Sequence, residues 1–173
     1  MRSFFARLLS TGASLFVFST QSEAQVTVAD TGGDEYLVIE NGDGAPAYSE
    51  PAGAFGGTDT GQLDSWNGDR RWDNGGGVNT AAVWQFEGLP SGEYDVYASW
   101  RNGAQGNLTT AAPYQISDGL GQVVRNQRDG AAGDLVLEDS SNRAVNFSLL
   151  GSVTVTDGTV TVTLNDDAST AGD

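Results

Sequence analysis

The stretch "AVNFSLLGSVTVTDGTVTVTL", residues 144–164, alternates apolar and polar side chains on both sides of Asp157-Gly158. Successive side chains of an extended strand point to opposite faces, so a period of two marks strands half-buried against a core. It does not fit the 3.6-residue period of an amphipathic helix. Asp-Gly is a hairpin signal, because both central residues of a type I′ turn need φ > 0. A hairpin here predicts pairing of Thr156 with Thr159, Val155 with Val160 and Val153 with Val162. Every Val then lies on one face and every Thr on the other, with Phe147 and Leu149 extending the Val face backwards.

The aromatic stretch "WQFEGLPSGEYDVYASW", residues 84–100, reads the same way. Ala82, Trp84 and Phe86 share one parity, and Tyr94, Val96, Ala98 and Trp100 share one after Pro90 and Gly92 break the chain. A hairpin with a longer loop is expected, its apolar face carrying both Trp. Further strands are expected at "EYLVIEN" (35–41), "APYQISDG" (112–119) and "GQVVRNQR" (121–128). Three loops are expected, over 42–77, 102–110 and 130–142, the first holding one short strand around residues 47–50. Many short strands punctuated by Gly, Asn, Asp and Pro predict an all-β sandwich or barrel.

Residues 1–24 read as a secretory leader. Arg2 and Arg7 form a basic head, an apolar centre runs from Leu8 to Phe18, and small residues Ser22 and Ala24 precede the expected cut. The apolar run is too short and interrupted to span a bilayer. Cleavage leaves a lead-in over 25–34 and one domain over 35–173. All but one of the 23 acids, and six of the eight Arg, lie beyond Ala24, which gives the exported part a net charge of −16. Such a surface repels phosphate backbones and anionic membranes, so neither nucleic acid nor, after leader cleavage, a membrane is expected as a partner. With no Cys, stability must come from packing. With neither His nor Cys, a Ser-His-Asp triad, a Cys nucleophile and a His-built zinc site are excluded.

The order of short motifs then resembles a known family. "AAVWQFEGLPSGEYDVYASW", "TAAPYQISDGLGQVVRNQR", "LGSVTVTDGTVTVTL" and "NDDAS", with "VIENGD" near the start, are similar to the golvesin/xanthan-lyase carbohydrate-binding-like domain. The resemblance implies a jelly-roll-like antiparallel β-sandwich of the kind appended to secreted polysaccharide-active proteins. Such domains close with a further apolar strand beyond the "NDDAS" turn. Its lack here implies a truncated domain or a sheet edge open to a partner strand.

Sugars are bound by aromatic faces ringed with Asp, Asn, Gln and Arg. Trp84, Phe86, Tyr94 and Trp100 fall on the core side by parity, so the candidate site is "DSWNGDRRWDNGG", residues 64–76. Trp66 and Trp72 would stack on sugar rings, or else fold back to cap the sheets. Arg70 and Arg71 would meet uronate carboxylates, or else pair with Asp64, Asp69 or Asp73. Asp69 would bond hydroxyls, and Tyr97, on the polar parity of its strand, is a further contact. Asn126 and Gln127 read as structural amides. No cofactor is expected; Ca²⁺ is the alternative, through the oxygen-rich turns at 41–44, 129–134 and 165–167, none of which spells an EF-hand.

The expected function is therefore a secreted, non-catalytic carbohydrate-binding-like module for an extracellular or acidic polysaccharide. The alternative is a structural or adhesion module that contacts surface proteins without a glycan site. An enzyme working through carboxylates or Tyr stands third, because no catalytic pair is recognisable among so many acids.

Overall fold

The computed structural model describes residues 4–8, 26–29, 35–39, 46–51, 57–60, 66–72, 80–100 and 109–166. Among them the chain is all-β: thirteen strands and a 3-10 turn at Trp66–Gly68, with no α-helix. The strands are β1 Phe4–Leu8, β2 Val26–Ala29, β3 Glu35–Ile39, β4 Tyr48–Ser49, β5 Gly57–Thr60, β6 Asp69–Trp72, β7 Thr80–Glu87, β8 Gly92–Ala98, β9 Ala112–Ile116, β10 Gly121–Arg125, β11 Leu135–Glu138, β12 Ala144–Val155 and β13 Thr159–Asp166. One six-stranded sheet runs β11-β12-β8-β1-β3-β2, a five-stranded sheet runs β10-β9-β13-β7-β4, and β5 and β6 form a separate ribbon. Every pairing is antiparallel.

Two expected hairpins are corrected. β12 and β13 do not pair with each other: β12 lies beside β8, and β13 beside β7. The turn at Asp157-Gly158 instead carries the chain from one sheet to the other. A type I′ turn would need φ > 0 at both residues, but here only Gly158, at φ 84, is left-handed. Asp157 instead accepts the Thr159 amide through Oδ1 at 3.1 Å, closing an Asx-type turn. The Gly88–Ser91 connection between β7 and β8 makes the same crossing, so the aromatic stretch is not a hairpin either. The two crossings run side by side, joined by Leu89 N–H donating to the Gly158 carbonyl at 2.9 Å. Tyr94 Oη donates back to the Pro90 carbonyl at 2.8 Å and locks the second crossing, much as a tyrosine corner does.

For the residues next to the two crossings parity still predicts burial correctly, because both arms of each crossing face the same core. Trp84, Phe86, Val160 and Val162 from one sheet meet Tyr94, Val96, Val153 and Val155 from the other, all essentially buried. Each such side chain contributes about 1.5–3 kcal/mol of burial free energy. Trp84 tilts onto Tyr48 of β4 with ring centroids 5.4 Å apart, and Trp100 stacks on Tyr114 of β9 at 6.5 Å.

A β-bulge in β12 overturns one parity reading. Leu149 faces Tyr97 and Gly151 faces Val96, which leaves Leu150 as the extra residue. One inserted residue exchanges the faces of everything before it. Phe147 and Leu149 therefore leave the Val face and join a second, outer cluster with Tyr36, Val38, Trp66, Tyr97, Leu137 and Val145. The carbonyls freed at the bulge are met from the other sheet: Arg125 of β10 donates to Leu149 O at 2.7 Å and to Leu150 O at 3.3 Å.

A tight hairpin forms instead at Asp118-Gly119. Asp118 and Gly119 are both left-handed, at φ 58 and φ 86, and join β9 to β10 with Ile116 opposite Gly121. β11 lies inside a stretch expected to be loop, β2 inside the expected lead-in, and β1 inside the expected leader. The short strand expected at 47–50 is β4. The expected cleavage point, the loop expected at 102–110 up to residue 108, and the oxygen-rich turn at 41–44 fall outside the described residues. No helix among the described residues is long and apolar enough to cross a membrane.

Candidate functional site

The candidate segment is built outward from Trp66. Its ring is 2% exposed and meets Phe147 edge-on, with centroids 5.9 Å apart, in the outer cluster. Of the two readings of this Trp, the capping one is what the geometry gives. Tyr97 lies in the same cluster at 6% exposure. Its strand face is not solvated, because the bulge brings Leu149 opposite it and Phe147 nearby. The expectation that Trp66 and Tyr97 offer free rings to a sugar is therefore corrected. Stacking needs an open aromatic face, and both rings spend theirs on the core.

Immediately after Trp66 the chain forms a clasp. Asn67 takes the left-handed conformation at φ 49, ψ 17, which short polar side chains tolerate better than others. Its N–H donates to Asp139 Oδ2 at 3.0 Å, while its own Oδ1 accepts from Ser140 N at 3.2 Å and Ser140 Oγ at 2.6 Å. Asp139 opens the loop between β11 and β12. It also accepts from Ser141 N at 2.8 Å, Arg143 N at 3.0 Å and Arg143 Nε at 2.9 Å, with Arg143 Nη2 2.6 Å away. Burial alone would raise this carboxyl's pKa. The hydrogen bond from the Arg143 guanidinium, the two backbone amides and the positive charge outweigh it, and hold the group below the ordinary aspartate value of 3.8. Asp139 is thus committed to structure and is no candidate for acid–base chemistry.

From this fixed turn the chain runs straight into β6, which carries Asp69, Arg70, Arg71 and Trp72. β6 pairs with β5 in the register Gly57–Trp72, Thr58–Arg71, Asp59–Arg70 and Thr60–Asp69. Four of the six expected site residues therefore sit consecutively on one strand of a two-stranded ribbon. The register sets Arg70 opposite Asp59. Asp64 and Asp73 lie outside the described residues.

The other expected residues find structural roles. Gln127 donates to Tyr114 Oη at 2.7 Å in the interior, and Asn126 accepts the Arg128 amide at 3.0 Å. In the oxygen-rich turn at 129–134, Asp129 accepts from Asn126 Nδ2 at 2.7 Å and Asp134 from Leu149 N at 2.9 Å. The two carboxylates thus serve different partners. No group of three or more acids among the described residues is arranged to hold a metal ion. The clasp of Asn67, Asp139, Ser140 and Arg143 was missed in the sequence, although "EDSSNR" carries its signal: an Asp followed by donors at i+2 and i+4.

Comparison with known proteins finds no matching family model, no similar curated protein and no similar solved structure. The resemblance to the golvesin/xanthan-lyase domain rests on its sequence motifs alone.

Proposed function

We propose that the chain is an exported, non-catalytic carbohydrate-binding module of jelly-roll-like β-sandwich form, which holds a polysaccharide on the β5–β6 ribbon. The observation that carries this reading is the anchoring of the ribbon. Asp69, Arg70, Arg71 and Trp72 follow directly from a turn fixed by a buried Trp66 and by the Asn67–Asp139 clasp. Binding groups on a short segment fixed to a rigid sheet lose little entropy when they engage a ligand. Trp72 supplies an aromatic surface for a sugar ring, Arg70 and Arg71 supply forked donors for uronate carboxylates or hydroxyls, and Asp69 accepts from hydroxyls. The leader pattern, the motif resemblance and the two sheets sharing one core support the same reading.

Retardation of the full chain in polysaccharide-loaded gels, over a panel of acidic and neutral glycans, tests it. Trp72→Ala and the pair Arg70→Ala with Arg71→Ala should each weaken retention about tenfold or more while the melting temperature holds. Trp66→Ala is unsuitable, because loss of that ring destabilises the outer cluster. A chain that no polysaccharide retards, or whose retention survives both variants, overturns the proposal.

A further inference from the structure

β1 has a place in the sheet at odds with its place in the sequence. Phe4–Leu8 belongs to the segment that reads as a removable leader, yet it is an interior strand. It pairs antiparallel with β3, from Phe4 opposite Ile39 to Arg7 opposite Tyr36, and with β8, from Phe4 opposite Ala98 to Leu8 opposite Tyr94. The strands that flank it are anchored: Val38, Ile39, Val96 and Ala98 are fully buried. Since β3 and β8 both run antiparallel to β1, they run parallel to each other. Withdrawal of β1 would leave two lips of unpaired main-chain groups about 10 Å apart, two strand spacings. Direct closure would need the β2–β3 hairpin to move by a whole strand spacing and to adopt the slanted hydrogen-bond pattern of a parallel pair.

We propose that the space between β3 and β8 is a strand-acceptor slot which, once the leader is removed, takes an extended segment donated by another protein. The lips define its chemistry. Positions equivalent to 4, 5 and 6 fall between Ile39 and Ala98, between Val38 and Tyr97 and between Leu37 and Val96, and position 8 falls beside Tyr94, so apolar residues are required at all four. Position 7 falls between Tyr36 and Asp95, which favours a basic residue. "FFARL" meets each requirement, with Phe4, Phe5, Ala6 and Leu8 at the apolar positions and Arg7 in register with Asp95. A donor strand would gain main-chain hydrogen bonds on two sides, whereas augmentation at a sheet edge gives one. The inference depends on leader removal and is independent of the glycan site.

The test uses the full chain with a specific protease site inserted between Gly12 and Ala13, cut after folding. A fluorescent peptide with the sequence of residues 1–11 should bind saturably once the native fragment is washed out. Its Ala6→Pro version should bind about tenfold or more weakly, because proline cannot donate to the ladder. The amides of β3 and β8 that hydrogen-bond to β1 should exchange at least about tenfold faster in the emptied protein and slow again on refilling. Equal protection in filled and emptied protein with no peptide uptake would mean that the sheet closes on itself, and overturns the proposal. So does self-association of the emptied protein in light scattering, which would assign the slot to a second copy. N-terminal sequencing of exported protein should begin at Gln25; a retained Met1 would mean that the slot never empties, and also overturns it. Polysaccharide retardation of the same cut sample separates failure of the slot from failure of the glycan reading.

Discussion

Replacing Asp139 with Asn keeps the shape of the clasp and removes its charge. Oδ1 can still accept from Ser141 N and Arg143 N, 2.8 and 3.0 Å away. The new amide nitrogen would instead face Asn67 N–H and Arg143 Nε, donors that Oδ2 now meets at 3.0 and 2.9 Å. Two hydrogen bonds to a charged acceptor are lost, each worth about 1.5–3 kcal/mol. Arg143 is partly open to solvent and Asn67 is exposed, so both can recover water, and the lower end applies. The expected cost is about 3 kcal/mol, at the edge of the range for breaking a buried ion pair. At about 2–4 °C per kcal/mol for a chain of this size, the melting temperature should fall by about 6–12 °C. The pH dependence is a second readout. A carboxyl whose pKa is lowered on folding stabilises the fold fully above its unfolded pKa, and loses that contribution as pH falls through the lowered folded value. Its ordinary value is 3.8, so the gap between wild type and Asp139→Asn should hold from pH 7 to about 5 and narrow progressively as pH falls below about 4. The other acids titrate in both proteins and cancel. Thermal unfolding followed by circular dichroism at pH 3–7 measures both effects, and the near-ultraviolet signal of Trp66 should weaken in the variant. A shift of less than about 2 °C, or a gap that stays constant into acid, would refute the account of the clasp.

Three other outcomes are expected. Tyr94→Phe should cost about 1 kcal/mol in denaturant unfolding, since the exposed Pro90 region rehydrates easily; burial raises the Tyr94 pKa above 10.0, so in wild type the tyrosine's contribution persists below that pH and is lost as pH climbs through the raised value. Arg125→Ala should cost about 1.5–3 kcal/mol by leaving the Leu149 and Leu150 carbonyls at the bulge without their charged donor, and Arg125→Lys should recover part of it; equal stability of all three would show that the bulge needs no such tie. Gly119→Ala should cost about 1–2 kcal/mol, because φ is +86 there, although the space around it is open; chemical denaturation measures it, and a neutral result would mean that the turn relaxes to another type.

The sequence makes burial legible and leaves pairing largely hidden, and Asp-Gly shows why. Asp-Gly lies between two strand patterns both at 118–119 and at 157–158, yet of these two only Asp118-Gly119 closes a hairpin. Alternation records which side of a strand faces the core. It does so equally for a neighbour in the same sheet and for an arm that has crossed to the opposite sheet, so Val153 and Val162 satisfy the pattern on different sheets. The choice between the two rests on whether the residue before Gly turns left-handed, and Asp157 instead bonds the Thr159 amide. The bulge at Leu150 is hidden for a related reason. One extra residue within an apolar run leaves composition unchanged, yet it moves Phe147 and Leu149 to the far side of the sheet.

That inversion also decides the fate of the candidate site. With Phe147 on the outer face there is an apolar surface there to cover, and Trp66 covers it, which is why an aromatic in a polar, Gly-flanked segment is core. Composition could not show that Trp66 is buried, because that depends on what the ring stands over and not on its neighbours in sequence. The ring in the cluster and the clasp at Asn67 fix the origin of β6, so the proposed binding residues Arg70, Arg71 and Trp72 follow from a defined point. A glycan site on this ribbon should therefore weaken when Asp139→Asn loosens the clasp, although residue 139 lies on another hairpin. Retention that is unchanged in that variant, with the fold intact, would detach ligand binding from the anchoring that motivates it.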